Sequence, residues 1–184
     1  MLRVIAGEYG SRQLKSLDSN DTRPTLEKTK GAIFNKLGPF FDGGTFLDLF
    51  GGSGSIGIEA LSRGVDKAVF VEKSPKAAHI IKENLKMLGC TDRSEVHICS
   101  YKSYLAQTEE KFDCVYVDPP YALKDSYAEI MQILSERDLL QKGAYVVLES
   151  SKELEFNFEL PGLIKEKDVI YGISRITYYH REDL

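Results

Sequence analysis

With 184 residues, 42% of them hydrophobic, the chain is long enough for one packed domain and a small appendage. No apolar run is long enough to span a bilayer, and the opening MLRVIAGEYG has no signal-peptide core, so no membrane partner and a cytoplasmic location are expected. The net charge of −4 argues against nucleic acid as a partner, yet residues 1–40 hold seven Lys/Arg against four acids, or +3, which leaves −7 for the remainder.

A basic N-terminal arm on an acidic body can present phosphate contacts, and ordinary surface charge would look the same. Cys90, Cys99 and Cys114 lack metal-ligand spacing and lie in or beside apolar segments, where reduced cysteine serves as a small hydrophobe. His79, His97 and His180 are scattered, so no metal site is expected.

Taken in order, residues 3–17 predict a β-hairpin: Arg3–Ala6 is β-prone, 7–11 contains two glycines, and Arg12–Leu14 resumes. Residues 18–24 are polar and read as a loop. Thr25 to Leu37 predicts a helix with Leu26, Ile33, Phe34 and Leu37 on one face, ended by Gly38-Pro39.

From Thr45 strands and helices alternate. Strands are predicted at Thr45–Phe50, Lys67–Glu72, Glu95–Cys99, Phe112–Val117 and Ala144–Leu148. Helices are predicted at Ser55–Arg63, from Ser74-Pro75 to Leu88, at Ser103–Thr108 and at Ser126–Leu140. Two further strands, Ile164–Tyr171 and Ser174–His180, flank a turn at Gly172 and must form an antiparallel hairpin at one edge. The pattern implies a doubly wound α/β sheet, mostly parallel and seven-stranded, with 1–40 as an N-terminal hairpin-and-helix extension and 41–184 as the main domain. Ligands in such sheets bind at the carboxyl ends of the strands, near the switch in strand order.

Two stretches lie at carboxyl ends. Gly52-x-Gly54-x-x-Gly57 matches a nucleotide-binding turn, with Glu72 twenty residues past Gly52. Asp48 precedes the glycines, where its anion would repel a pyrophosphate and suit a cationic ligand. Glu72, ending the second strand, can accept both hydroxyls of a ribose. In Asp118-Pro119-Pro120-Tyr121 the prolines fix the backbone and remove two N–H donors. A carboxylate and carbonyls remain beside an aromatic ring, an arrangement for gripping an amine on a planar ring.

DLFGGSG (48–54), FVEKSP (70–75) and DPPY (118–121), together with RVIAGEYGSRQL (3–14) and RPTLEKTKGAIFN (23–35), resemble the RsmD family over essentially the whole chain. These are class I S-adenosylmethionine-dependent methyltransferases with a Rossmann-like fold, which methylate the N2 amine of a guanine in 16S ribosomal RNA. The resemblance implies that Asp118, Pro119, Pro120 and Tyr121 are catalytic. It implies that S-adenosylmethionine is held by Asp48, Phe50, Gly51, Gly52, Ser53, Gly54, Glu72, Lys73, Ser100, Tyr101 and Asp118. The substrate would be 16S RNA in a 30S subunit or assembly intermediate, with phosphates held by Arg3, Arg12, Lys15, Arg23, Thr25 and Lys28.

Two positions depart from the family pattern. An acid common after the third strand is replaced by Ser100 and Tyr101, so a serine hydroxyl or backbone groups are expected to hold adenine. An arginine common in the RPT helix is Lys30, which keeps the charge without the bidentate geometry. The competing readings are methylation of adenine N6 or of a glutamine side chain, which use a closely similar loop, and an NAD-dependent oxidoreductase. Against the last stand Asp48, the DPPY loop and the lack of an evident catalytic His or Tyr-Lys arrangement.

Overall fold

A computed structural model describes residues 2–17 and 27–182. The main sheet has seven strands: β3 (Thr45–Asp48), β4 (Lys67–Val71), β5 (Ser94–His97), β6 (Phe112–Val117), β7 (Leu140–Ser151), β8 (Leu163–Tyr171) and β9 (Ser174–Arg181). Their spatial order is β5-β4-β3-β6-β7-β9-β8. Strands β3 to β7 are parallel, and β9 runs antiparallel between β7 and β8. The chain leaves β3 for β4 and β5 on one side, then returns to place β6 and β7 on the other. The switch in order therefore falls between β3 and β6.

The strand sequences explain the layers. Alternate residues of β3 and β6 enter different cores: Phe46, Cys114 and Tyr116 face one, Leu47, Val115 and Val117 the other. The first core is completed by α1 (Glu27–Leu37), α2 (Ser55–Ser62) and α3 (Pro75–Leu88), the second by α4 (Tyr101–Gln107) and α5 (Ser126–Glu136).

The N-terminal hairpin pairs β1 (Leu2–Arg3) with β2 (Gln13–Leu14), and its Val4, Tyr9 and Leu14 enter the first core. It also accounts for α2, which is buried on every side. Glu59 accepts the backbone N–H groups of Ile5 and Ala6 at 2.8 and 3.1 Å, and Ser62 Oγ accepts that of Tyr9 at 2.9 Å. A Cβ on Gly7 would lie 1.9 Å from the Ser62 carbonyl oxygen, so only glycine allows this approach.

Most element boundaries fall within a few residues of expectation, and α3 and β6 match it. The helix expected to reach Leu140 ends at Glu136. Asp138 takes φ +53°, Asp138 N–H bonds the Ser135 carbonyl, and Leu139 N–H reaches back to Leu134 at 3.1 Å. That is a Schellman-type stop with aspartate in the left-handed position usually given to glycine. Leu139 and Leu140 instead pass into the sheet, and β7 begins at Leu140. Among the described residues no helix is long and apolar enough to cross a membrane.

Candidate functional site

The glycine turn leaves β3 at the switch point. Gly51 N–H bonds the Val71 carbonyl at 2.9 Å and Gly54 N–H bonds the Gly51 carbonyl at 2.8 Å. Gly52 and Gly54 adopt φ of +58° and +85°, which only glycine takes without strain. The glycines divide the labour. A Cβ on Gly57 would lie 2.3 Å from the Phe70 ring, so this residue lets α2 pack on β4. A Cβ on Gly52 would meet nothing within 4 Å, so the crest of the turn is open.

Three carboxylates stand at the ends of β3, β4 and β6, and two of them, Glu72 and Asp118, lie within electrostatic reach of the third, Asp48. Asp48 is 1% exposed. Its Oδ2 accepts Gly57 N–H at 3.2 Å, and its Oδ1 has no hydrogen-bond partner among the described residues. Burial pushes its pKa well above the usual carboxylate range. The Gly57 N–H opposes that rise, and the charges of Asp118 and Glu72 add to it. Glu72 grips the loop, accepting Gly52 N–H at 2.9 Å and Ser74 N–H at 2.8 Å. Each of its oxygens keeps a lone pair for a further donor. Lys73 stands exposed between Glu72 and Ser74, the N-cap of α3.

Asp118 is half-buried at the end of β6, Pro119 is buried, and Tyr121 is 63% exposed. Leu123 N–H bonds the Pro120 carbonyl at 2.8 Å and closes one 3₁₀ turn over Tyr121–Leu123. Behind the loop, Tyr127 donates to the Glu149 carbonyl at 2.6 Å, and Tyr116 donates to Glu149 Oε2. Burial raises the Tyr127 pKa, and the charges of Asp118 and Tyr121 raise it further, which places both within electrostatic reach. Leu148 pairs with Val117, so Glu149 sits level with Asp118.

The aromatic wall is Phe50 against Tyr101, ring centres 5.4 Å apart. Tyr101 donates to Glu129 at 2.7 Å, and burial together with that carboxylate pushes its pKa up to about 12. Ser100 caps α4, its Oγ accepting Ser103 N–H at 3.1 Å, which uses one lone pair of the hydroxyl and leaves its O–H as a donor.

The basic arm is more dispersed than the crevice. Arg3 pairs with Glu27 at 2.5 Å, Arg12 donates to the Met87 carbonyl at 3.3 Å, and Lys15 approaches Glu83 at 3.4 Å. Lys28 is exposed, and Arg23 and Thr25 lie outside the described residues. Lys30 corrects the expectation of a cation replacing a phosphate-binding arginine. It is 1% exposed and donates to the Arg3 carbonyl at 2.6 Å and to Ser55 Oγ at 2.9 Å, with Glu59 at 3.4 Å. Burial lowers its pKa and Glu59 opposes that fall.

Sequence reading also missed Asn84. Fully buried on α3, it donates to the carbonyls of Ser53 and Lys15 at 3.0 Å and accepts Lys15 N–H at 2.8 Å, tying the glycine turn to the hairpin. The signal was present: Asn84 and Lys30 both occupy apolar-stripe positions of their helices, where a polar residue demands partners.

Comparison with known proteins agrees with this architecture. The family model described as "Conserved hypothetical protein 95" matches residues 2–180. The chain is 36% identical to ribosomal RNA small subunit methyltransferase D of Haemophilus influenzae over 155 residues, covering 83% of this chain and 80% of the relative. The solved structure of yhhF from Escherichia coli superposes with a TM-score of 0.89 at 27% identity, covering 100% of this chain and 99% of that one. An RNA methyltransferase from Salinibacter ruber, solved in complex with S-adenosyl-L-homocysteine, shares the fold at 19% identity and a TM-score of 0.65, over 88% of this chain and 95% of that one. The sheet, its antiparallel edge pair and its flanking helices are thus the Rossmann-like fold of S-adenosylmethionine-dependent methyltransferases.

Proposed function

The chain belongs to the family described as conserved hypothetical protein 95, the RsmD family, and from that premise we propose that it transfers a methyl group from S-adenosylmethionine to the exocyclic N2 amine of a guanine in 16S ribosomal RNA, within a 30S subunit or assembly intermediate. The observation that carries this reading is Asp48 with Glu72 and Asp118 within electrostatic reach, Glu72 holding the open crest at Gly52. Three acids disfavour a pyrophosphate and favour a ligand bearing ammonium and sulfonium charges. The unsatisfied Oδ1 of buried Asp48 fits such a ligand, since it supplies an acceptor that the protein itself leaves unused.

In this reading the backbone of Gly51–Gly54 lies under the cofactor, Glu72 accepts the ribose hydroxyls, and Phe50 and Tyr101 flank the adenine. S-adenosylmethionine supplies a methyl group activated by its positive sulfur. The protein's own work is on the acceptor. The guanine amine is a poor nucleophile because its lone pair is delocalised into the ring. The Asp118 carboxylate and the Pro119 carbonyl accept its two protons, favour a pyramidal nitrogen and aim the lone pair for in-line attack. As the N–C bond forms and the methyl–sulfur bond breaks, its electron pair staying on the sulfur, Asp118 takes the proton released. Tyr121, exposed at the rim, stacks on a base drawn out of its helix or loop.

The test is methyl transfer from labelled cofactor to ribosomal RNA and to 30S particles from a strain lacking the gene, followed by nucleoside analysis. N2-methylguanosine is expected. Label in N6-methyladenosine, or in protein alone, overturns the acceptor assignment.

A further inference from the structure

The mechanism leaves unused the outer face of α3. Lys76, Lys82 and Lys86 are exposed there together with His79, all within about a third of the helix circumference at 100° per residue. Lys73 stands just before the helix. None of these four lysines has an ion-pair or hydrogen-bond partner among the described residues. Elsewhere Lys36, Lys67, Lys102, Lys111 and Lys165 each face a carboxylate. The one acid on this face, Glu83, is shared with Lys15 at 3.4 Å and His79 at 3.3 Å. Across the sheet, α5 turns Gln132 and Glu136 to solvent. Lys28, Lys124, Lys152 and Lys167 also lack a carboxylate partner among the described residues, but they are scattered, whereas α3 gathers three such lysines on one face in a chain of net charge −4.

That face is continuous with the hairpin and reaches the crevice. Arg12 bonds the Met87 carbonyl at the last turn of α3, and Lys15 is held by Asn84 one turn earlier. At the other end Ser74, the cap of α3, is tied to Glu72, and Asn84 holds Ser53 of the glycine turn. Lys76 to Lys86 spans about 15 Å of helix axis at 1.5 Å per residue.

Resting on the reading above, we propose that the outer face of α3, with Arg12 and Lys15 beside it, is a docking track for the phosphates of the RNA whose target base enters the crevice. Lysines free of carboxylates suit a phosphodiester strand: each is a mobile point charge that releases counterions on contact and reads no sequence. A strand on α3 is steered toward Glu72 and the glycine turn while its target base faces Asp118.

The test compares wild type with K76E/K82E/K86E, the milder K76Q/K82Q/K86Q, and a control, K152E/K167E, that reverses exposed lysines elsewhere. Binding to unmethylated 16S RNA and to 30S particles is measured across a salt series, with S-adenosylhomocysteine affinity and melting temperature as checks on folding. For the reversal triple, RNA affinity should fall about 10- to 100-fold near 0.1 M salt. The slope of log affinity against log salt should flatten by about 2, since three lost contacts contribute roughly 0.7 each on single strands. The neutral triple should fall between, and the control should match wild type.

If wild type methylates ribosomal RNA and the reversal triple binds it with unchanged affinity and slope, the track is wrong and the catalytic reading stands. If the triple loses only 30S binding, the face meets an acidic protein and the RNA assignment is wrong. If wild type neither binds nor methylates ribosomal RNA, both proposals fall.

Discussion

Around Gly51–Gly54 the backbone is committed within the protein. Gly51 N–H is held by Val71, Gly52 N–H by Glu72, Gly54 N–H by Gly51, and the Ser53 carbonyl by Asn84. Around Asp118–Tyr121 two prolines offer no donors, and Tyr121 stands largely in solvent. The first loop's N–H groups at Gly51, Gly52 and Gly54 are committed within the protein, whereas the second has prolines without donors and an exposed Tyr121 ring, the face that the proposed acceptor would meet. Defects in the glycine turn should therefore register in stability and cofactor affinity together, and defects in the proline loop in rate alone.

The largest expected effect is on the proline loop. Asp118→Ala removes the proton acceptor and should lower methyl transfer about 10³-fold or more, within the range of general-base and electrostatic contributions. Affinity for S-adenosylhomocysteine, which lacks the sulfonium charge that the Asp118 field would favour, should change by less than about threefold, or roughly 0.7 kcal/mol, as measured by calorimetry. A large loss of cofactor affinity with the rate of bound enzyme preserved would reverse the assignment of the two loops.

An intermediate effect is expected from Gly57→Ala. The methyl group would enter 2.3 Å from the ring of fully buried Phe70. Overpacking costs about 1–3 kcal/mol, of which helix propensity returns up to about 1. At about 2–4 °C per kcal/mol for a domain of this size, the melting temperature should fall by several degrees. Cofactor affinity should fall with it, because Gly57 N–H is the donor that holds Asp48. Adding Phe70→Leu should recover part of both. A protein with weakened cofactor binding and unchanged melting would show that the turn is not pre-formed.

The same contrast explains what was legible in the sequence. Local signals were strong where one residue decides the backbone: the cap at Ser74-Pro75, the stop at Gly89, the glycine turn, and the apolar run of β6. They failed at Asp138, whose left-handed conformation is fixed partly by Lys111 and Arg181 from distant strands and loops. The neighbourhood of Asp48, Glu72 and Asp118 was readable because the fold places the strand ends together. Lys30, Glu59 and Asn84 were not read as buried ties, because apart from the Glu59–Arg63 pair their partners lie 25 to 69 residues away in the chain. Ser100 is legible in two ways at once: its Oγ accepts Ser103 N–H as the N-cap of α4, and its O–H remains a donor for a ligand.

The smallest effect sharpens the comparison most, because it separates stability from function within the glycine half. Asp48 is an acid whose folded pKa is raised above its unfolded value, chiefly by burial. Its contribution to stability is therefore fully present below the ordinary carboxylate range and is lost as pH rises through the folded pKa. Above that pKa the ligand-free protein carries a buried charge with one unsatisfied oxygen. Asp48→Asn keeps an acceptor for Gly57 N–H, removes the charge, and places an amide donor in the field of Asp118 and Glu72. The variant and wild type should melt alike near pH 4. As pH rises through the folded pKa of Asp48 the variant should gain, reaching about 1 kcal/mol, or roughly 2–4 °C, once the carboxylate is ionised. Over the same range its affinity for S-adenosylhomocysteine should fall about tenfold, because the ligand's ammonium group loses an acidic neighbour. Rising stability with falling affinity identifies Asp48 as an acid kept for the ligand at the fold's expense. If both fell together, Asp48 would serve the packing of α2 on β3, and the cationic-ligand argument would lose its support from this residue.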